Sequence, residues 1–214
     1  MEINHIYKYK SPPKKTPIAP EWDCELYEFL LDKSITKDLK KYVSNYEKLG
    51  ITVENDAWKN YNIFSWQETI FGTLKKLIKE SYQKLISEYH ISFSEKLWIN
   101  GWIYWGRLND YIPIHNHACH PNSFLSGTIC LTTCDVNTEF HIPILSADKQ
   151  VGPLVLNSLE GRMILFPSYL PHLVTPLKGG DVETRYSIGF DIVTNDTINQ
   201  FKHNTPTLEN VIPF

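Results

Sequence analysis

Two hydrophobic periods divide the chain. Up to residue 95 apolar residues recur mostly at helical spacing, whereas from Lys96 to Val193 they alternate or cluster in short runs broken by Gly, Pro, Asn and Asp. Ile35, Leu39, Tyr42, Val43, Tyr46 and Leu49 share one helical face and Gly50 is a natural stop, which predicts one or two helices over 23–50. The preceding run CELYEFLL reads as helix in preference to strand. A longer helix is predicted over 65–90. Ser65 and Glu68 form a capping-box pattern at its start, and Trp66, Ile70, Leu74, Leu77, Ile78, Leu85 and Ile86 keep one face apolar. At the N-terminus INHIYKYK reads as an edge strand. SPPKKTPIAP then forbids helix through its four prolines and predicts an extended arm to residue 22.

The second half reads as strands. In WINGWIYW, residues Trp98, Asn100, Trp102 and Tyr104 fall on one face and Ile99, Gly101, Ile103 and Trp105 on the other. GRLND is a turn, and YIPIHNH, FLSGTICLTT, TEFHIPI, GPLVLN, RMILFPS, HLVTP and ETRYSIGFDIV follow. Seven or eight short strands after a helical half predict a mainly β sandwich or barrel with helices packed on one face. With no internal repeat and no linker composition, 1–214 reads as one domain: an arm (1–22), helical support (23–95), a strand core (96–194) and a C-terminal extension (195–214).

Composition narrows the classes. A net charge of -3 provides no basic field for nucleic acid. No apolar run approaches the length of a membrane span, and the N-terminus has no signal-peptide core. Cys24, Cys119, Cys130 and Cys134 form no C-x-x-C pair, which is the pattern of a reducing compartment and predicts a cytoplasmic protein. Homo-oligomers remain open.

The candidate chemistry lies in YIPIHNHACHPNSFLSGTICL (111–131). If YIPIHNH is a strand, His115 and His117 face one side and Asn116 the other. Neutral imidazole is the commonest ligand for iron, zinc, nickel and copper. His172 stands at a strand entry in FPSYLPHLVTP and provides a third, distant imidazole. On ETRYSIGFDIV, Arg185, Ser187, Gly189 and Asp191 share one face, and a guanidinium beside a hydroxyl can hold a carboxylate. Against this stand plainer readings of the same residues as hydrogen-bonded or surface side chains.

The order His-x-His, His, Arg-x-Ser on short strands resembles the Fe(II)/2-oxoglutarate-dependent oxygenases. More narrowly, DYIPIHNH, HPNSFLSGTICL, GRMILFPSYLPHLVTP and RYSIGF are similar to a branch of that superfamily found in phages and bacteria, whose W-x-N strand is matched by Trp98 and Asn100. The resemblance spans about Trp98 to Ile192. It implies a double-stranded β-helix, the cupin-like jelly roll, in which His115, His117 and His172 hold Fe(II). It further implies that Arg185 and Ser187 bind the distal carboxylate of 2-oxoglutarate, with Thr128 on a neighbouring strand as a further co-substrate contact. Asn100 and Trp102 would face the same cavity and touch co-substrate or primary substrate. The reaction implied is hydroxylation of a small molecule or peptide, consuming O2 and converting 2-oxoglutarate to succinate and CO2. In a phage-encoded protein it would run in the host cytoplasm.

One departure stands out. The superfamily places a carboxylate two residues after its first histidine, where this chain has His117, so a three-histidine site carries one negative charge less. A shifted register would pair His117 with His120, because His120-Pro121 precedes the small-residue run as in the narrower branch. His115 with His117 is preferred, since the lead-in residues match and i, i+2 on a strand converges without rearrangement. Asp110 and Asp135 are candidate supporting carboxylates. Two other functions fit the residues: a zinc enzyme hydrolysing or hydrating its substrate at the three histidines, and a non-catalytic jelly-roll binding or structural protein.

Overall fold

A computed structural model describes residues 1–11, 13–18, 23–48, 61–88, 96–117, 123–142, 152–180, 182–201 and 210–214. In chain order the elements are β1 (Ile3–Tyr9), β2 (Cys24–Leu30), α1 (Lys33–Lys48), a 3₁₀ turn at Ile63–Ser65, α2 (Thr69–Glu88), β3 (Leu97–Gly106), β4 (Ile112–His115), β5 (Ser123–Cys130), β6 (Cys134–Phe140), β7 (Leu154–Ser158), β8 (Arg162–Pro167), β9 (His172–Val174), β10 (Arg185–Thr194), α3 (Asn195–Phe201) and β11 (Ile212–Pro213). The eight runs read as strands from WINGWIYW to ETRYSIGFDIV correspond to β3–β10, with β6 starting earlier than TEFHIPI, at Cys134.

The strands form two antiparallel sheets. The larger has the order β1-β2-β8-β5-β10-β3-β11 and the smaller β4-β9-β6-β7. Alternation decides what each face of the large sheet meets. Ile99, Ile103, Leu125, Ile129, Met163, Leu165, Ile188, Phe190 and Ile192 point into a core shared with Leu39 and Val43 of α1 and Phe71, Leu74, Ile78 and Leu85 of α2. On the other face Leu26, Ile164 and Phe166 pack with Phe140 and Leu156 of the small sheet. Helices therefore cover one face and the small sheet covers the other, giving the jelly-roll arrangement expected, with the two sheets not closed into a continuous barrel.

The helical half is where expectation and structure part. CELYEFLL does not begin a helix: Cys24–Leu30 is a strand, joined to β1 on one side and β8 on the other. It is buried on both faces, Tyr27 and Phe29 toward the helices and Leu26 toward the small sheet. A strand covered on both faces shows no clean alternation, so its apolar run mimics a buried helix. Its one buried acid, Glu28, accepts from Tyr7 Oη at 2.9 Å and lies 3.3 Å from Arg162 Nε, fastening β1 and β8 to it. Burial and the Glu28 carboxylate push the Tyr7 phenol up to about 12.

The Ser65/Glu68 capping box does not form either. Ser65 ends the 3₁₀ turn and donates to Asn62 O at 2.6 Å, while Glu68 accepts from Tyr46 Oη at 2.6 Å, tying α1 to the turn before α2. The long helix starts four residues later than predicted, at Thr69, and Trp66 stacks outside it on Tyr61. Leu49 and Gly50, the predicted end of the first helix, lie outside the described residues. Asp32 caps α1 by accepting from Ser34 N at 2.8 Å, a signal the sequence reading passed over.

Both ends of the chain join the large sheet. β1 is its edge, as INHIYKYK predicted, and the C-terminal extension returns as β11 against Ile99 and Trp98. Beyond β11, side chains cover the β3 edge. Tyr61 Oη bonds the Ile103 backbone at both N and O, and Asn62 donates to Ile99 O and Asn210 O while accepting from Gly101 N and Phe64 N. No described helix is long and apolar enough to cross a membrane.

Candidate metal centre

The site lies between the two sheets. β4 and β9 pair so that His115 faces His172 across the ladder. His117 follows two residues after the end of β4, where its backbone N–H donates to Ser168 O at 2.9 Å. That bond holds the chain extended past the strand, so His115 and His117 turn to the same side as i, i+2 spacing requires. Their rings lie 5.3 Å apart between centroids, and His172 is 4.3 Å from His115 and 5.0 Å from His117.

Each ring is oriented through Nδ1. His115 Nδ1 is 2.8 Å from Pro113 O, His172 Nδ1 is 3.0 Å from Leu170 O, and His117 Nδ1 is 2.7 Å from Asp191 Oδ1. A carbonyl or carboxylate there takes Nδ1–H, which in the neutral ring leaves Nε2 with a free lone pair. One ligand nitrogen from each ring lies within 4.8 Å of the other two, with His115 Nε2 only 3.3 Å from His117 Nε2. Burial, and then the neighbouring His117 and His115, push His172 down to about 3. Burial likewise lowers His115, despite its bond to Pro113 O. Burial alone would lower His117, but the Asp191 carboxylate outweighs it and holds that ring above the usual histidine range. Three oriented imidazoles with converging ligand nitrogens could hold one borderline divalent cation.

The opposing wall is the inner face of the large sheet. Arg185, Ser187, Gly189 and Asp191 alternate along β10 as the sequence predicted. Tyr104, Trp102 and Asn100 lie beside Ser187, Gly189 and Asp191 on β3, and Thr128 and Ser126 lie beside Gly189 and Asp191 on β5. His115, His117 and His172 thus converge on one side, while Arg185, Ser187, Thr128, Asn100 and Trp102 share one face of the large sheet. His120 lies outside the described residues.

Two groups on this wall lack partners. Arg185 is 3% exposed, yet its Nε and Nη1 have no hydrogen-bond partner among the described residues. Its nearest compensation is the Tyr104 ring, 5.6 Å from the guanidinium carbon. Asn100 is equally buried, with neither Oδ1 nor Nδ2 bonded among the described residues. Asn62, a second buried asparagine, fills all its positions with backbone groups. Buried unpaired polar groups cost stability, and a buried unpaired guanidinium most of all, unless an anion completes them.

The supporting carboxylate is not one of those expected. Asp110 closes the turn after β3 by accepting from Arg107 N, and Asp135 is exposed on β6. Asp191 occupies that role instead. The signal was in the alternation of β10, where Asp191 shares the face of Arg185.

Gly189 shapes the wall by having no side chain. A Cβ there would lie 2.6 Å from Trp102 Cε2, and Trp102 in turn packs 5.5 Å from the His117 ring. Gly189→Ala is expected to displace Trp102 and cost about 1–3 kcal/mol, read as a lower urea midpoint at unchanged m-value.

No protein-family model matches the sequence, and no curated protein does. Solved structures do match. A prolyl-4-hydroxylase from Pseudomonas putida aligns with a TM-score of 0.58 at 10% identity, covering 78% of this chain and 87% of its own. A prolyl hydroxylase from Trichoplax adhaerens, in complex with a hypoxia inducible factor oxygen degradation domain peptide fragment, aligns with a TM-score of 0.58 at 13% identity over 80% and 84%. The non-heme alpha ketoglutarate dependent epimerase SnoN from nogalamycin biosynthesis aligns at 0.53 and 10% identity over 78% and 77%. At such identities the likeness is one of fold, and the fold is the jelly roll of the 2-oxoglutarate/Fe(II) oxygenases.

Proposed function

We propose that the protein is a cytoplasmic Fe(II)/2-oxoglutarate-dependent dioxygenase that hydroxylates a small-molecule or peptide substrate. The observation that supports this reading is the buried Arg185, whose Nε and Nη1 have no partner among the described residues, on the sheet face opposite three histidines whose ligand nitrogens converge. A zinc hydrolase would need the histidines alone, whereas a keto-diacid needs both a metal and a cation set apart from it.

His115, His117 and His172 hold the metal through Nε2. Arg185 grips the distal carboxylate of 2-oxoglutarate with its planar fork, and Ser187 adds a hydroxyl donor beside it. Thr128, facing the same space from β5, is a further co-substrate contact. Asn100 and Trp102 contact the primary substrate, the amide by hydrogen bonds and the indole by its apolar face. Phe140 and Phe166, 5.6 and 4.8 Å from the His172 ring, keep water from the far side of the ligands. Bound there, ferrous iron with 2-oxoglutarate and O2 supplies C–H oxidation coupled to release of succinate and CO2. The protein's part is orientation and exclusion of solvent. The peptide-bound Trichoplax adhaerens neighbour supports a peptide as one class of substrate.

The test is anaerobic titration of metal-free protein with Fe(II) and then 2-oxoglutarate. A visible charge-transfer band that requires both additions is the expected result. Tight, colourless zinc binding with no such band would replace the oxygenase by a hydrolytic zinc site, and no metal uptake would leave a jelly-roll binding protein.

A further inference from the structure

We infer that Asp191 is a positioning residue which returns to the metal centre, through His117, the negative charge that the centre lacks among its own ligands. This rests on the proposed metal-binding role of the three histidines.

Asp191 Oδ1 is 2.7 Å from His117 Nδ1 and 2.6 Å from Ser126 Oγ. Ser126 Oγ is also 2.9 Å from Ser168 Oγ. A carboxylate only accepts, so the single Ser126 proton goes to Asp191 and Ser168 donates to Ser126. Ser168 in turn receives the His117 backbone N–H on its carbonyl, so one network fixes the ring and the main chain of His117 together. Ser126 and Ser168 are buried, and β5, β10 and the β8–β9 connection each contribute one member.

This arrangement singles out one of three ligands. His115 and His172 rest on neutral carbonyls two residues earlier in the chain, and His117 alone rests on a charge from the large sheet. It is also the residue standing where a carboxylate ligand would otherwise stand. The charge has not vanished but has moved one residue outward, and an imidazole bonded to a carboxylate is a stronger donor than one bonded to a carbonyl. A metal bound at Nε2 of His117 removes any need for that ring to protonate and leaves Asp191 paired with a metal-bearing imidazole.

Asp191→Asn isolates the charge, since its Oδ1 can accept the same two hydrogen bonds. The experiment titrates metal-free wild type, Asp191→Asn, His117→Asp and the double variant with Co(II), followed by its visible absorption, and melts each metal-free protein. Asp191→Asn is expected to weaken Co(II) binding by roughly 10–100-fold with the metal-free melting temperature unchanged. In the His117→Asp background the sign should reverse. Two carboxylates would then crowd one place, and removing the Asp191 charge should tighten Co(II) binding. Equal affinity of Asp191→Asn and wild type, or equal weakening in both backgrounds, overturns the inference and leaves the metal centre standing. Failure of wild type to bind Co(II) or Fe(II) at all overturns the metal centre and the inference with it.

Discussion

His172→Ala is expected to abolish metal binding and leave a folded protein. His172 is the ligand with least freedom to be replaced. It is 5% exposed, its Nδ1 is bonded to Leu170 O, and its ring packs against both Phe140 and Phe166, which also touch each other. Its pKa of about 3 keeps it neutral and able to donate at any working pH. With it gone, His115 and His117 remain as two donors from one short segment, too few to hold a divalent ion tightly. Affinity for Fe(II) or Co(II) should fall by at least about three decades, each decade being about 1.4 kcal/mol. The truncation also leaves a small gap beside two phenylalanines, worth about 1–3 kcal/mol, so metal-free His172→Ala melts lower but cooperatively. The control is the metal itself. Ion added to wild type raises its melting temperature by mass action, and added to the variant it should not. A variant that keeps the metal-induced rise would exclude His172 from the site and point to another ligand.

Much of the site was legible because strands report their faces in alternate residues. His115 with His117, and Arg185 with Ser187, each read as sharing a side by period alone, and the extended chain from β4 to His117 and strand β10 present them so. That His172 would meet His115 could not be read from spacing, since the ladder between β4 and β9 joins residues 57 positions apart by their numbering. The resemblance to an oxygenase family supplied that step. What stayed hidden has physical reasons. β2 is buried on both faces and so lost the alternation that marks a strand. Ser65 and Glu68 had the composition of a capping box, but Ser65 turns back to Asn62 within its own 3₁₀ turn and Glu68 is drawn to Tyr46 by a tertiary contact. Asp191 lay in view on the correct face, but its function depends on His117 of a different sheet, and no local pattern connects two residues across a packed interface.

The strand order β1-β2-β8-β5-β10-β3-β11 belongs to the same category. Only β1 with β2 is a pair of consecutive strands in it, so nearly every ladder is a long-range contact whose partner has no local signature. The helices were more legible than their ends. α1 and α2 keep apolar faces fixed by the 3.6 period, while their first residues were set by Asp32 and by the turn at Ile63–Ser65.

Arg185→Met should separate what this residue does for co-substrate from what it does for the fold. Met preserves the length and apolar contacts of the arginine stem and removes the charge. A guanidinium buried to 3% exposure with Nε and Nη1 unpaired is destabilising in the metal-free protein. The variant is therefore expected to melt higher than wild type, by roughly 1–2 kcal/mol, or about 2–8 °C for a domain of this size. Its affinity for 2-oxoglutarate should move the other way. A fork bonded to a desolvated carboxylate is worth about 2–5 kcal/mol, so the co-substrate requirement should rise by roughly 30- to 4,000-fold, while Co(II) affinity, set by the histidines across the cleft, stays within about threefold. Differential melting with and without metal and 2-oxoglutarate reads all three quantities on one protein. A gain in intrinsic stability joined to loss of the 2-oxoglutarate response identifies Arg185 as an anion site held at the expense of the fold. A loss of stability joined to equal losses of metal and co-substrate would make Arg185 a structural residue and leave the three histidines without a counterpart for a dicarboxylate, which favours the zinc chemistry instead.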